Sequence, residues 1–260
     1  MIRISLIQTV LHWEDPAMNY QMLEPLVLSQ AGQADIIVLP EMFATGFTMN
    51  ASNNAQDMNG AGVQWLRRMS GITSAVITGS LIISDNGKYY NRLIWMQPDG
   101  EMQHYDKRHL FSLAGEEKVF TRGNERKVFE WKGWRIFPLI CYDLRFPVWS
   151  RRTKSFDFDL LLYVANWPER RSNAWKKLLP ARAIENQCYV AAVNRIGHDG
   201  NQIFHTGDSA ILDYTGEAIA SASSGETVII NAALEKSKLY EFRNQFAFGQ
   251  DADEFNFVER

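Results

Sequence analysis

The chain has 260 residues, 46% of them apolar and 22% charged, with a formal net charge of −3. That is long enough for one large domain or two small ones, and apolar enough for a full core. Charge this close to neutral, with no basic cluster interleaved with aromatics, argues against nucleic acid or an anionic membrane as a partner. Two cysteines, Cys141 and Cys188, are too few for a disulfide framework and do not form a paired metal-ligand spacing. With no apolar leader and no bilayer-length stretch, the expected setting is the cytoplasm.

Ile2, Ile4 and Leu6 alternate with Arg3 and Ser5, the period of a first strand. Met18, Met22, Leu23, Leu26 and Val27 recur at helical spacing, which predicts a first amphipathic helix over Met18 to Leu28. Ile36 to Leu39 is a continuous apolar run, a buried strand that ends at Pro40-Glu41. A second helix is expected over Val63 to Met69, then strands over Val76 to Ile83 and Arg92 to Met96. Pro98-Asp99-Gly100 is a turn, because Pro presets φ and Gly accepts positive φ. Glu101 to Tyr105 leads from it into Asp106-Lys107-Arg108-His109. Val128 to Trp131 and Trp134 to Ile140 read as a hairpin that delivers Cys141 to a strand's C-terminal end.

Leu160 to Val164 is a further buried strand, ending in Ala165-Asn166-Trp167-Pro168. Ala174 to Asn186 is helical by pattern, with a kink or a late start expected at Pro180. Cys188 to Val193, Ser209 to Leu212 and Val228 to Asn231 read as strands. The tail after Phe242 is acidic and aromatic and is expected to pack on the surface or on a partner. Strands alternating with helices, many of them apolar throughout, indicate layered α/β architecture. No internal repeat or linker is visible, so a single domain over 1–260 is expected.

Three polar side chains follow apolar strands or turns: Glu41, Lys107 and Cys141. Singly each has a plain structural explanation. Cys141 would be a small buried hydrophobe, Glu41 a solvated loop acid and Lys107 part of a solvated charged face. Together they supply one chemistry. A thiol needs a base to become a nucleophile, and a carboxylate serves if partial desolvation raises its pKa. An ammonium and a backbone N–H beside the nucleophile can stabilise a tetrahedral oxyanion. Those are the parts of acyl transfer through a thioester.

Three ordered segments carry this set: Leu39-Pro40-Glu41-Met42-Phe43-Ala44-Thr45-Gly46-Phe47, Tyr105-Asp106-Lys107-Arg108-His109-Leu110-Phe111 and Cys141-Tyr142-Asp143-Leu144-Arg145-Phe146-Pro147. They resemble the Glu-Lys-Cys signature of the nitrilase, or carbon–nitrogen hydrolase, superfamily. The resemblance extends through Tyr163 to Pro168 and Pro180 to Gln187 and covers most of the chain. The Phe-x-Thr-Gly-Phe and Cys-Tyr-Asp-Leu-Arg-Phe-Pro forms are most similar to its ω-amidase branch. The resemblance implies a four-layer αββα sandwich, commonly a homodimer, hydrolysing the terminal amide of 2-oxoglutaramate or 2-oxosuccinamate. It also implies a second glutamate after the lysine, for which Glu116 is favoured over Glu117.

On that basis Glu41 is the expected base, Cys141 the nucleophile, and Lys107 with the Tyr142 backbone N–H the oxyanion donors. Glu116 would orient Lys107 or the substrate amide. Arg145 is a candidate for the substrate carboxylate, with an ion pair to Asp143 as its structural alternative. Phe47, Tyr142 and Trp167 are candidate walls, although core packing explains aromatics equally well. His12, His104, His109, His198 and His205 lack ligand spacing, so neither metal nor cofactor is expected. The rival readings are another amidase, N-carbamoyl amidase or nitrilase, a catalytically idle binding relative, and a redox thiol protein using Cys188.

Overall fold

In the computed structural model, which describes residues 1–258, two six-stranded sheets pack face to face. Glu259 and Arg260, the end of the expected domain span, lie outside the described residues. The first sheet contains β1 (Ile2–Gln8), β2 (Ile36–Val38), β3 (Val76–Asp85), β4 (Lys88–Met96), β5 (Met102–Asp106) and β14 (Val228–Leu234), in the order β14-β1-β2-β3-β4-β5. The second contains β6 (Phe129–Trp131), β7 (Trp134–Ile140), β8 (Leu160–Ala165), β9 (Tyr189–Asn194), β12 (Ala210–Leu212) and β13 (Ala218–Ser221), in the order β13-β12-β9-β8-β7-β6. A separate hairpin, β10 (Ile196–His198) with β11 (Phe204–Thr206), follows β9.

The period-2 rule explains the layering. In the first sheet Ile2, Ile4, Leu6, Ile36, Val38, Leu93 and Trp95 face a core shared with the second sheet. Their neighbours Ile7, Ile37, Ile94 and Met96 point to the opposite face. That outer face is covered by α1 (Pro16–Leu28) and α3 (Ala61–Thr73), through Leu23, Val27, Val63, Trp65, Leu66 and Met69. Each such fully buried aliphatic side chain contributes about 1.5–3 kcal/mol. The short α2 (Ala51–Asn54) lies between them in the chain, and α4 (Ser172–Asn186) packs on the second sheet through Trp175, Leu179 and Ala183. The central strands β2, β8 and β9 are buried on both faces, which is why they read as unbroken apolar runs. The αββα sandwich is therefore the fold of this chain.

Some local expectations change. Met18 is exposed, and α1 instead buries Asn19, Leu23 and Val27. It starts at Pro16 because the Asp15 side chain accepts from Met18 N at 3.0 Å. Pro180 does not delay α4, which starts at Ser172. The carbonyl that Pro180 leaves without a helical donor belongs to exposed Lys176, where water can serve it. Phe242 is not the start of a tail but lies in α5 (Lys236–Gln245). Beyond α5, Phe257 packs edge-on against Trp149 at 4.9 Å.

Candidate active site

The site lies where C-terminal strand ends of both sheets meet. Glu41 follows β2, Lys107 follows β5, Cys141 follows β7 and Asn166 follows β8. β7, β8 and β9 are parallel, as are β1, β2 and β3, so these ends fall on one side of each sheet. β5 is antiparallel to β4, which is antiparallel to β3, so its end falls there too.

Each side chain is pinned locally. After Glu41 the chain turns sharply, with Met42 at φ +43° and its N–H donating to Ser80 Oγ at 2.8 Å. Asn19 on α1 holds the same loop from outside, donating to Ala44 O and His12 O at 2.7 Å. Cys141 opens a short 3₁₀ turn, Cys141–Arg145, with φ +42°. A non-glycine residue rarely adopts that conformation, and here it lifts the thiol off the strand end. Asp143 secures the turn. Its carboxylate accepts from Ile140 N at 3.1 Å, His109 N at 2.9 Å and Tyr105 Oη at 2.8 Å. His109 Nδ1 lies 2.8 Å from the same carboxylate, and the imidazole stacks on Phe146 with centroids 3.8 Å apart. Asp143 thus serves the turn and the lysine loop, and does not pair with Arg145.

The charged cluster is almost completely enclosed. Glu41 and Glu116 are 0% exposed and Lys107 is 1% exposed. Lys107 Nζ donates to Glu41 Oε1 at 2.8 Å and to both oxygens of Glu116, at 3.0 and 2.9 Å. Asn91 Nδ2 donates to Glu41 at 2.8 Å and Glu116 at 3.2 Å. The second oxygen of Glu41 accepts from Asn166 N at 2.8 Å, and Asn166 Nδ2 donates to the Glu41 carbonyl at 2.6 Å. Phe111 N–H donates to Glu116 Oε2 at 2.5 Å. Glu117, the alternative second glutamate, points into solvent.

Burial pulls the Lys107 ammonium down, but Glu116 and Glu41 more than offset it and hold the pKa well above the ordinary lysine range. Burial raises the Glu116 carboxyl, Lys107 lowers it and Glu41 raises it, leaving it above the usual carboxylate value. Burial and the nearby Glu41 charge push the Cys141 thiol well up, against the pull of Lys107. The Cys141 thiol is therefore neutral at rest, and it lines the same cavity as Glu41 and Lys107. Cys188 is buried in the core, where desolvation raises it to about 12. Neither cysteine is in a disulfide.

Above the cluster opens a cavity of about 740 Å³, lined by Glu41, Lys107, Cys141, the three expected wall residues Phe47, Tyr142 and Trp167, and Arg145. The Phe47 ring lies 5.0 Å from Lys107 Nζ. Tyr142 meets Phe111 and Phe146 edge-on at 5.0 and 5.1 Å. Arg145 lies over the Trp167 ring at 4.9 Å. Sequence reasoning gave no role to Asn91, Asn166 or Arg171, and considered Asp143 only as an ion-pair partner of Arg145. Only Asn166 carried a visible signal, a polar side chain directly after a buried strand.

An αββα sandwich with a thiol, an ammonium and two carboxylates gathered at its strand ends defines a hydrolase of the nitrilase class. The carbon–nitrogen hydrolase family model matches residues 3–244, and the chain belongs to that family. It is 47% identical over 254 residues to omega-amidase YafV of Yersinia enterocolitica, covering 98% of each chain. It is 33% identical to 2-oxoglutaramate amidase of Bacillus subtilis over 251 residues, 95% of this chain and 96% of that one. A crystal structure of a CN-hydrolase superfamily protein from Xanthomonas campestris, with an arsenic adduct in its active site, superposes with a TM-score of 0.97. Identity to it is 44%, and 99% of each chain is covered. Among the described residues no helix is long and apolar enough to cross a membrane.

Proposed function

We propose that this protein is an ω-amidase, a single-domain enzyme that hydrolyses the terminal amide of 2-oxoglutaramate or 2-oxosuccinamate. The observation that carries the proposal is that Cys141, Glu41 and Lys107 line one cavity, with Lys107 Nζ 2.8 Å from Glu41. The full-length similarity to proteins named for this activity supports the substrate class.

In the proposed reaction Glu41 accepts the thiol proton as Cys141 Sγ attacks the amide carbonyl. Lys107 and the Tyr142 backbone N–H stabilise the oxyanion. Glu41 returns the proton to the departing ammonia, leaving an acyl thioester. It then takes a proton from water, which attacks the thioester, and gives that proton back to the thiol as the acid leaves. Glu116 holds Lys107 charged and in place. The high thiol pKa explains why a base in contact is needed, because little thiolate exists beforehand. Phe47, Tyr142, Trp167 and Arg145 would shape the substrate's seat.

A reducing, cytoplasmic setting and a homodimer belong to the same proposal. Light scattering of the purified protein tests the dimer. Ammonia release from 2-oxoglutaramate tests the activity, with glutamine, a simple aliphatic amide, an N-carbamoyl amino acid and a nitrile beside it, for wild type and Cys141→Ala. Cysteine-dependent turnover of the oxo-amide above the others is the expected result. Preference for another substrate would move the enzyme to another branch, and silence on all of them would make it an idle binding relative.

A further inference from the structure

Besides exposed Arg170, two half-buried cations in the cavity wall, Arg145 and Arg171, have no counter-charge among the described residues. Arg145 ends the turn that Cys141 begins, and Arg171 ends a second 3₁₀ turn, Glu169–Arg171, leading into α4. Both are half-buried and both line the cavity. Among the described residues neither guanidinium has an ion pair or a hydrogen-bonded partner. Other partly buried arginines of this chain do: Arg92 is held by Asp106 at 2.6 Å, Arg135 by Asp159 at 3.1 Å and Arg152 by Asp157 at 3.2 Å.

Arg145 and Arg171 are instead held on aromatic faces. Arg145 lies 4.9 Å from the Trp167 ring centre and Arg171 4.7 Å from that of Phe111. The Trp167 indole joins them, since its Nε1 donates to the Arg171 carbonyl at 2.8 Å while its ring carries Arg145. Burial depresses the Arg171 guanidinium, and the fields of Arg170 and Arg145 depress it further. Like charges are thus brought together beside Cys141, where an anion would relieve them. No acid in the cavity wall does so. Glu41 is taken up by Lys107, Asn91 and Asn166. Asp199 Oδ1 accepts from Asn201 N at 2.8 Å and Ile203 N at 2.9 Å.

We propose that Arg171, acting with Arg145, binds the carboxylate of the substrate, at the end of the molecule away from the amide attacked by Cys141. The planar guanidinium fork matches a carboxylate, and the aromatic faces restrict it before the ligand arrives. The identity of the ligand as a 2-oxo acid monoamide rests on the ω-amidase proposal; the existence of a carboxylate site does not.

Two measurements test this. The first is the ratio of kcat/KM for 2-oxoglutaramate to kcat/KM for butyramide, in wild type, Arg171→Gln, Arg171→Lys and Arg145→Gln. Loss of a charge-assisted contact should lower the ratio about 10- to 100-fold in either Gln variant, mainly through KM for the oxo-amide. Arg171→Lys should recover part of it, as charge without the fork. The second is protection of Cys141 from iodoacetamide by 2-oxoglutarate, read by mass spectrometry. Protection should be present in wild type and require roughly tenfold more 2-oxoglutarate in Arg171→Gln.

An unchanged ratio in both Gln variants would overturn the site while leaving the ω-amidase proposal standing. Protection that depends on Arg171, with no turnover of the oxo-amide, would do the reverse. Failure of 2-oxoglutarate to protect the wild type would also overturn the site, and this readout does not require a variant to be fully active.

Discussion

Lys107 Nζ touches both carboxylate oxygens of Glu116, at 3.0 and 2.9 Å, but only one oxygen of Glu41. The tighter grip belongs to the glutamate that lies away from the cavity lining. Glu41 keeps its second oxygen on the Asn166 backbone N–H and shares the cavity lining with Cys141. Glu116→Gln preserves shape but removes the charge that holds the ammonium. We expect kcat to fall by about 10²-fold, comparable to losing one oxyanion donor. Glu116→Ala leaves a buried ammonium short of a partner and should cost about 3–5 kcal/mol of stability. Steady-state kinetics and urea denaturation separate the two effects. Equal activity of wild type and Glu116→Gln would refute the role.

Cys141 combines a reactive group with a left-handed backbone, φ +42°. Removing the side chain removes both. Cys141→Ala and Cys141→Gly should each abolish ammonia release. Glycine pays no penalty at this φ, so Cys141→Gly should be the more stable of the two by about 1 kcal/mol, despite its greater chain entropy when unfolded. Thermal melts of the two variants would show it, and the opposite order would mean the turn is unstrained.

The thiol is held protonated by burial and by Glu41, with a pKa well above the ordinary value. Its alkylation by iodoacetamide should therefore keep rising beyond pH 9, without a plateau near neutrality. A plateau below about pH 7 would indicate a preformed thiolate and remove the need for Glu41 as base.

His205 lines the cavity wall, is 2% exposed, and is lowered to about 4 by burial and then by Arg195. Its folded pKa lies below the unfolded value of about 6.5. The folded state thus binds fewer protons between those values. This contribution is fully present above pH 6.5 and is lost as the pH falls toward 4, about 3 kcal/mol in all. His205→Gln should flatten the stability-versus-pH curve across that window. A curve as steep as that of wild type would place the acid sensitivity elsewhere.

Asp143 joins the nucleophile turn to the lysine loop through Ile140 N, Tyr105 Oη and His109. Asp143→Asn must present an NH₂ to some of these donors. We expect kcat to fall roughly 10²-fold with KM little changed, because misplacing the thiol by about 1 Å affects the reaction geometry more than binding. A rise in KM alone would mean that the turn mainly shapes the substrate seat.

The layers and the principal site residues were legible because they depend on short-range signals. Apolar runs mark strands buried on both faces, and Glu41 and Cys141 stand just after such runs, whereas Lys107 follows the mixed, partly buried β5. Glu116 was distinguishable from Glu117 only through the family resemblance, since two adjacent acids carry no periodic signal; burial separates them. Asn91 sits within β4, where a polar residue reads as an edge or a solvent-facing position. Arg171 stands in the run Glu169-Arg170-Arg171, and its side chain enters the cavity only because the turn before α4 aims it there. Pro180 suggested a break that the exposed side of α4 tolerates. These are consequences of tertiary packing, which local spacing does not encode.

Glu41 and Lys107 come from one sheet, and Cys141 and Asn166 from the other. Neither half of the sandwich therefore owns a working set of groups. During refolding, secondary structure and each sheet's own pairing could form while hydrolysis stayed absent, and activity should return only when the two sheets dock. A chain caught half-assembled would carry a thiol without its base, and so be inert rather than indiscriminate toward the amides around it.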